Sequence, residues 1–369
     1  MNTKFTDFFK SFPLLLFSFI SFFYGCTKDV ILNDKGSVVT YQPSQIAAGV
    51  ELGEVYSTNN FAAFTDIVQY ENAWYIAFRV GTAHLEGLNG QIKILKSTDG
   101  IRWIVENIII NDSLDLRDPK FVLDSSNNQL YVNFFGSNDL SANTGEHNLH
   151  NFIVTYNTKD GYSNPVEIKN DKEGDETYVF WRYTYHKGKF YSASYRIPIL
   201  GGYTTDDICL FNNNNDYKNY ATIGNLKLGS SPNEATIRFD ASDNMCFLIR
   251  REVAHVALGF SAPSDYTKVT WLQDPLQIRL SSPNFLFYNG KLLICGRDQD
   301  DLSFKLFSYN LSTNKIEKKF KFPSGYETGY GGMSFNPTNK DELWISYYSI
   351  TSKKSYIYLA KMDLKTFLQ

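Results

Sequence analysis

Three side chains in this sequence are suited to moving a proton. Asp66 stands in a strand-like apolar run that precedes Arg79, so Asp66 is either an acid/base group or the ion-pair partner of Arg79. Glu234 stands near the start of another run, where a carboxylate is hard to explain by packing alone. His84 lies in a glycine-bounded loop and is either a general acid or a solvated loop residue. Histidine and carboxylate side chains are common general acids and bases.

Arginines recur at one position of the strand-like runs. Four of five runs that end in a matching way have an arginine at the equivalent position, and the fifth has Tyr348. The runs end in Phe78-Arg79, Tyr195-Arg196, Arg250-Arg251, Gly296-Arg297 and Tyr347-Tyr348. Arg251 aligns with Arg79 and Arg297, so we favour it over Arg250. Because guanidinium groups bind carboxylates bidentately, these residues form either a substrate-binding ring or structural ion pairs.

Three further positions are candidates for substrate contact or chemistry. Tyr330 is flanked by three glycines, which leave room for a ligand. Trp181 and Arg182 offer a platform for a sugar ring and a cation for an anion, or else belong to a packed core. Arg117 and Asp118 are either part of a site or a structural salt bridge.

Pairs of short alternating apolar runs must position these residues, and they predict six β-hairpins. Turns rich in Asn, Asp, Gly and Ser separate the runs, which is typical of strands. The first strands are expected at 64–70, 120–123, 181–186, 235–239, 284–288 and 332–335, and the second strands at 73–79, 129–135, 189–196, 244–250, 291–297 and 342–348. The spacing is typical of propeller blades, and an aromatic content of 16% favours strands. We predict an all-β fold, a six-bladed β-propeller in which residues 37–58 close the last blade.

The segment from Ser97 to Trp103 predicts a tight turn in the first blade. Asp99 can accept hydrogen bonds from nearby backbone N–H groups, Gly100 can take a positive φ, and Trp103 can fill the blade. This is a structural feature away from any site.

The N-terminus predicts export and lipid anchoring. Lys4 and Lys10 precede a short apolar run that ends in Gly25-Cys26, as in a bacterial lipoprotein signal. We expect a signal peptide at 1–25, a tether at 26–36 from a lipidated Cys26, and the propeller at 37–369. The expected location is the cell envelope, anchored by lipid at the outer membrane. The alternative is an ordinary signal peptide with an incidental cysteine.

Composition excludes several other functions. The net charge of -3 argues against a basic face that binds nucleic acid. We also expect a monomer. Cys209, Cys246 and Cys295 lie in apolar runs and are expected to be buried thiols. Neither these cysteines nor His147 and His150 have metal-ligand spacing, so we expect no metal and no other cofactor.

With these features the chain resembles the bacterial sialidase-like (BNR, Asp-box repeat) family over about residues 53–363. The resemblance rests on Phe64-Thr65-Asp66, Phe78-Arg79 with His84, Asp115 to Asp118, Asn233-Glu234, Gly296-Arg297, Tyr330-Gly331-Gly332, Trp344 to Ser349 and the turn at Ser97 to Trp103. It implies a tyrosine nucleophile assisted by a glutamate, an aspartate acid/base and three arginines that bind the substrate carboxylate. Matched in order, these are Glu234, Arg250 or Arg251, Arg297 and Tyr330.

The first blade departs from the family pattern. The family begins its first strand with Arg-Ile-Pro, whereas this chain has Asp66 on that strand and its arginine only at Arg79. Arg196-Ile197-Pro198 has the same letters but lies in the third predicted blade. Sialic acid, a uronic acid and a sulfated sugar therefore stay open as substrates.

The leading hypothesis is an exo-acting glycoside hydrolase that removes a terminal, acidic sugar from a glycan or polysaccharide. Asp66 or His84 would protonate the leaving oxygen while Tyr330, activated by Glu234, attacks the anomeric carbon. The alternatives are a non-catalytic glycan-binding surface lipoprotein and a polysaccharide lyase.

Overall fold

The alternating apolar runs form six mainly antiparallel sheets that follow one another along the chain. The structure is a computed structural model and describes residues 33–84, 90–138, 149–172, 176–198, 207–213 and 216–369. The innermost strand of each sheet contacts that of the next, and the sixth contacts the first, so the sheets close a ring. The predicted six-bladed β-propeller is confirmed.

Blades 1 to 3 contain the following strands. Blade 1 consists of Phe61–Tyr70, Ala73–Gly81, Gln91–Ser97, Arg102–Ile109 and the outer strand Val38–Thr40. Blade 2 consists of Asp115–Asp124, Gln129–Ser137 and Leu149–Asn157, with Gly161–Tyr162 and Val166–Glu167 both paired to the third strand. Blade 3 consists of Glu176–Val179, Thr184–His186, Lys189–Pro198, Asp207–Asn213, Asn219–Lys227 and the parallel outer strand Lys169–Asn170.

Blades 4 to 6 complete the ring. Blade 4 consists of Pro232–Phe239, Met245–Arg251, Ala257–Ser261 and Thr270–Trp271. Blade 5 consists of Leu280–Tyr288, Lys291–Asp298, Ser303–Asn310 and Lys315–Lys321. Blade 6 consists of Glu327–Phe335, Glu342–Ile350, Ser355–Asp363, Val50–Thr58 and Ser44–Ala47, and the short helix Leu364–Phe367 follows it. No helix in the described part of the chain is both long and apolar enough to cross a membrane.

The N-terminal segment closes the propeller in the predicted way. Val50–Thr58 pairs antiparallel with Ser355–Asp363, so the first long strand of the described residues completes the last blade. Val38–Thr40 goes further and pairs with Arg102–Ile109 at the outer edge of blade 1. Pairing at both places covers strand edges that would otherwise be open to another chain.

The predicted inner strand at 181–186 is only partly a strand. Regular pairing stops at Val179 and resumes at Thr184. Between them, Asn133 of blade 2 donates hydrogen bonds to the carbonyls of Phe180 and Trp181 at 3.2 and 3.3 Å. Side chains of the neighbouring blade therefore replace the ladder there, which a strand pattern cannot reveal.

The predicted turn in blade 1 is confirmed. Asp99 Oδ1 accepts hydrogen bonds from the amides of Ile101 and Arg102 at 2.7 and 2.8 Å. These bonds lower the pKa of Asp99 below its usual value. Gly100 has a φ of 69° and Trp103 is fully buried.

The core lies between neighbouring blades, where the apolar faces of adjacent sheets meet. Trp74 of blade 1 and Trp344 of blade 6 stack with ring centroids 3.8 Å apart. Cys209, Cys246 and Cys295 are buried free thiols, as predicted. Burial raises the pKa of Cys209 to about 12, so this thiol is inert.

Candidate active site

The inner strands of five blades share one irregularity near their start. In each, the pairing with the second strand shifts and two residues bulge. The bulged pairs are Phe64-Thr65, Asp118-Pro119, Asn233-Glu234, Ser282-Pro283 and Tyr330-Gly331. Four of these residues, Phe64, Asp118, Ser282 and Tyr330, have φ angles between 49° and 66°. Such a backbone is uncommon for residues other than glycine and concentrates at functional sites.

Bulged residues from different blades contact one another at the propeller axis. The Tyr330 amide donates to Ser282 Oγ at 2.8 Å, and the Ser282 amide donates to Glu234 Oε2 at 2.6 Å. The rings of Phe64 and Tyr330 lie 4.7 Å apart between centroids. We call this cluster, together with Asp118, the axial site.

A tyrosine–glutamate pair lies at the centre of the axial site. The Tyr330 hydroxyl donates to Glu234 Oε1, and Arg250 Nη1 donates to Glu234 Oε2 at 2.9 Å. Burial alone raises the pKa of Glu234, but Arg250, the Tyr330 hydroxyl and the Ser282 amide outweigh it and hold that pKa below its usual value. Burial and the charge of Glu234 raise the pKa of Tyr330 well above its usual value. A neutral phenol therefore faces an ionised carboxylate that can accept its proton.

Asp118 is a second carboxyl group in the same site. It is 6% exposed, and among the described residues its Oδ1 has no hydrogen-bond partner. Burial raises the pKa of Asp118; Lys120 and Arg117 oppose the shift, while Glu234 adds to it. Asp118 in turn contributes to the raised pKa of Tyr330. A buried carboxyl held towards its protonated form beside a nucleophile suits a general acid.

Asp66 has a different environment from the one a general acid needs. Its two oxygens accept from Arg182 Nη1 and Nη2 at 3.0 and 3.2 Å, and Oδ2 also accepts from the Phe121 amide at 2.8 Å. Asp66 is 2% exposed. These contacts join blades 1, 2 and 3, and both oxygens of Asp66 already accept hydrogen bonds from the protein. The partner expected for it, Arg79, is bound elsewhere.

His84 forms a second cluster beside the axial site. Its Nδ1 lies 2.5 Å from Glu327 Oε1, and the Tyr348 hydroxyl donates to the same oxygen at 3.3 Å. The His84 ring lies 5.2 Å from Phe64 between centroids. Burial raises the pKa of Glu327, but His84, Tyr348 and Arg297 outweigh it and hold it below its usual value.

The register confirms the equivalence of three of the four recurring arginines; the fourth, Arg196, pairs with Tyr178 where the strand has no bulge. Arg79, Arg251 and Arg297 each pair with the residue that precedes a bulge, and Tyr348 does the same in blade 6. Their roles nevertheless differ. Arg79 is fully buried and forms a fork with Asp115 at 2.8 and 3.0 Å. It is a structural cation rather than one open to substrate.

Arg117 and Arg251 are also bound within the protein, whereas Arg250 contacts Glu234. Arg117 Nη1 donates to Asp115 Oδ2 at 3.0 Å and to the His84 carbonyl at 2.6 Å, beneath the surface. Arg251 Nε donates to the His255 carbonyl at 2.7 Å, so Arg250, not Arg251, contacts Glu234.

Arg297 is the arginine best placed to bind a ligand. It is partly exposed beside Glu327, and its Nε has no hydrogen-bond partner among the described residues.

The tryptophan–arginine pair of blade 3 lies below the axial site. Trp181 is 1% exposed, and its ring packs edge-on against Tyr330 at 6.1 Å between centroids. Arg182 binds Asp66, as described above. Arg196 is partly buried and lies opposite Tyr178 in the strand pairing. Trp181 therefore supports the tyrosine instead of offering an open platform.

Sequence reasoning missed two residues of this region. Lys120 is fully buried, with its Nζ 5.3 and 5.4 Å from the ring centroids of Trp181 and Tyr330. Burial lowers its pKa to about 8. Glu327 lies three residues before Tyr330 and beside His84. The bulge register, which makes Lys120 equivalent to Asp66, is the signal that could have found the lysine.

Two of the residues named in the sequence analysis are not described by the structure. Cys26 and His147 lie outside the described residues. Within the described ranges, no three His, Cys, Asp or Glu side chains group as metal ligands would.

Solved structures with the same fold are sialidases and trans-sialidases. A Hadza microbial sialidase gives a TM-score of 0.62 at 12% identity over 83% of this chain and 66% of that chain. A Trypanosoma rangeli sialidase mutant displaying trans-sialidase activity gives 0.60 at 12% identity over 89% and 58%. The leech intramolecular trans-sialidase gives 0.61 at 10% identity over 84% and 69%. This chain thus spans less than two thirds of the first two, and at such identities the likeness shows the fold alone. No protein-family model matches the sequence, and no curated protein matches it in sequence.

Proposed function

We propose that this protein is a retaining exo-glycosidase that removes a terminal acidic sugar. The observation that carries the proposal is the Tyr330 hydroxyl donating to Glu234, whose other oxygen is held by Arg250. A phenol is a weak nucleophile until a neighbouring carboxylate takes its proton, and this pair meets that condition. Likeness in fold to sialidases and trans-sialidases supports the proposal.

The first chemical step uses Tyr330, Glu234 and Asp118. The Tyr330 oxygen attacks the anomeric carbon while its proton passes to Glu234. The bond between that carbon and the leaving oxygen breaks, and the leaving oxygen takes the proton of Asp118. In the second step Asp118 removes a proton from water, the water oxygen attacks the anomeric carbon, and Tyr330 leaves and recovers its proton from Glu234.

The choice of an acidic sugar rests on charge. A neutral tyrosine approaches an anionic sugar without the repulsion that a carboxylate nucleophile would meet. Arg297 is partly exposed, and no carboxylate among the described residues lies within salt-bridge distance of it, so the outer end of its guanidinium can contact a carboxylate or a sulfate. Arg79 is held by Asp115, so the three-arginine arrangement implied by the family resemblance is incomplete. The sugar can therefore be a sialic acid, a uronic acid or a sulfated sugar.

A substrate screen with two paired variants tests the function. Purified protein is incubated with terminal sialosides, uronides, sulfated glycosides and neutral glycosides, and released sugar is measured. Tyr330→Phe and Glu234→Gln should each lower turnover of the active substrate at least a hundredfold, since each removes the activated nucleophile. Tyr326→Phe and Glu317→Gln change an exposed tyrosine and an exposed glutamate and should leave turnover unchanged. Unchanged turnover in the first pair would refute the mechanism.

A glycan-binding protein without catalysis is the second candidate. This candidate is favoured because Arg79 is bound to Asp115 and Asp66 is bound to Arg182, so neither Arg79 nor Asp66 is available to a substrate. Binding of a glycan with no released sugar after long incubation would support this candidate. A released unsaturated product that absorbs in the ultraviolet would instead indicate a lyase.

We propose that the protein acts as a monomeric lipoprotein of the bacterial cell envelope, anchored at the outer membrane through Cys26. The proposal rests on the Gly25-Cys26 pattern after a short apolar run. Labelling with a fatty acid analogue should mark the wild type and not Cys26→Ala. Equal labelling of both proteins would contradict the anchor.

A further inference from the structure

A cavity opens at the end of the propeller axis opposite the axial site. Its volume is about 350 Å³, and later residues of the inner strands line it, beyond the bulges. Its lining includes the polar residues Asp66, Arg182, Thr184, His186, Arg238 and Ser334, together with Tyr183 and Tyr185. None of the bulged residues that form the axial site lines it, so the two are separate features of the axis.

The cations of this cavity outnumber its anions. Arg182 and Asp66 pair with each other at 3.0 Å. Arg238 has no carboxylate partner within the described residues; it donates to the Phe285 carbonyl and to Asn284 Oδ1, both at 3.2 Å. His186, at the rim, lies 3.2 Å from Asp243. One guanidinium group is therefore left without a counter-charge.

A hydrogen-bond donor is also left over. Arg182 is 3% exposed, and its Nε is buried without a hydrogen-bond partner among the described residues. Burying an unpaired charge or donor costs free energy unless a ligand or water satisfies it. Burial and the neighbouring Arg182 lower the pKa of Arg238 to about 10, with Asp66 opposing, which agrees with a missing counter-charge.

We propose that this cavity binds a small anion between Arg182 and Arg238. The ligand class is a single carboxylate or a small inorganic anion such as chloride or sulfate, since such ions complement a guanidinium group. The cavity has room for the ion and several waters, each of which takes about 30 Å³. Asp66 holds the fork of Arg182, so the anion would contact mainly the free face of Arg238, and Arg182 would add its positive charge from the cavity wall.

Titration of the purified protein with sodium chloride, bromide, sulfate and acetate tests this proposal. Ionic strength is held constant with a bulky anion, and the midpoint of thermal unfolding is recorded. The wild type should be stabilised in a saturable way by at least one of these ions. Arg238→Gln should weaken that binding roughly tenfold to a hundredfold, because a hydrogen bond to a charged group has that value. Arg279→Gln, an exposed arginine outside the cavity, is the matched control and should bind as the wild type does.

Crystals soaked in bromide locate the ion independently of stability. An anomalous peak between Arg182 and Arg238 is expected, and its absence at saturating bromide would overturn the proposal. So would equal stabilisation of the wild type and Arg238→Gln. If that variant does not fold, Arg238→Lys keeps the charge but loses the fork, and unchanged affinity in it would likewise overturn the proposal. None of these readouts depends on glycosidase activity.

Discussion

Replacing Asp118 by Asn tests which carboxyl group protonates the leaving oxygen. Asparagine keeps the size of the side chain but cannot donate the proton. Since Asp118 Oδ1 has no partner in the described part of the chain, and Asp118 forms no ion pair there, the change should alter stability little. A positioned general acid contributes about 10²–10⁴ in rate. We expect kcat/KM to fall by this factor on a substrate with an alkyl leaving group.

The assay compares two leaving groups and a range of pH. An aryl glycoside with an acidic phenol needs little protonation, so its kcat/KM should fall less than about tenfold in Asp118→Asn. Burial raises the pKa of Asp118, and the acid acts in its protonated form. Wild-type kcat/KM on the alkyl glycoside should therefore decline as the pH rises through this raised pKa. The variant should lack that alkaline decline.

Asp66→Asn is the matched control, because Asp66 is a buried carboxyl that directly follows the equivalent bulge in blade 1. It holds Arg182 with both oxygens, so its loss leaves a buried guanidinium unpaired and should destabilise the fold by about 3–5 kcal/mol. Any loss of activity should be equal for both leaving groups. A leaving-group dependence in Asp66→Asn, together with none in Asp118→Asn, would refute the assignment of the acid.

The remaining predictions concern charge. Arg297→Gln should raise KM for an acidic substrate roughly tenfold with little change in kcat, while the exposed Arg102→Gln changes neither; equal effects would exclude Arg297 as an anion contact. Asp115→Asn should lower the free energy of unfolding by about 3–5 kcal/mol in urea, because it leaves Arg79 buried and unpaired. Lys120 has a pKa of about 8 in the folded protein and a higher pKa in the unfolded chain, so its charged form opposes folding. The free energy of unfolding of the wild type should therefore rise between about pH 8 and 10, by roughly 3 kcal/mol relative to Lys120→Met, in denaturant titrations. If the wild type and Lys120→Met differed by the same free energy of unfolding at every pH, Lys120 would not be a buried ammonium group with a lowered pKa.

The fold could be predicted because it depends on local patterns that repeat. Alternating apolar runs with polar turns recur in every blade, and the turn around Asp99 is determined by a side chain bonding to its own backbone. The blade 3 strand was harder to predict. Its regular pairing stops where Asn133 of another blade binds the carbonyls of Phe180 and Trp181, a contact between residues far apart in sequence.

The site could be predicted only in part, since bulges alter which residues face the axis. The pairing of Tyr330 with Glu234 follows from bulges in blades 6 and 4, and the resemblance to the sialidase-like family, matched residue by residue in order, implied it. The contact of Arg250 with Glu234 did not follow from alignment, which favoured Arg251. Two adjacent residues on a strand point to opposite faces, so an error of one residue in register exchanges them.

Near the start of the inner strands, equivalent positions in different blades hold either a residue that joins neighbouring blades or a residue that can bind a ligand. Asp66 and Lys120 are equivalent by register, yet one binds Arg182 while the other lies under Tyr330 without a carboxylate within salt-bridge distance among the described residues. What separates the two roles is whether a neighbouring blade supplies a partner of opposite charge. Because that partner comes from another blade, residue type and spacing alone cannot assign the role. Asp118 is an axial carboxyl without such a partner among the residues that the structure describes, and it is therefore a better candidate for chemistry than a carboxyl that is well paired.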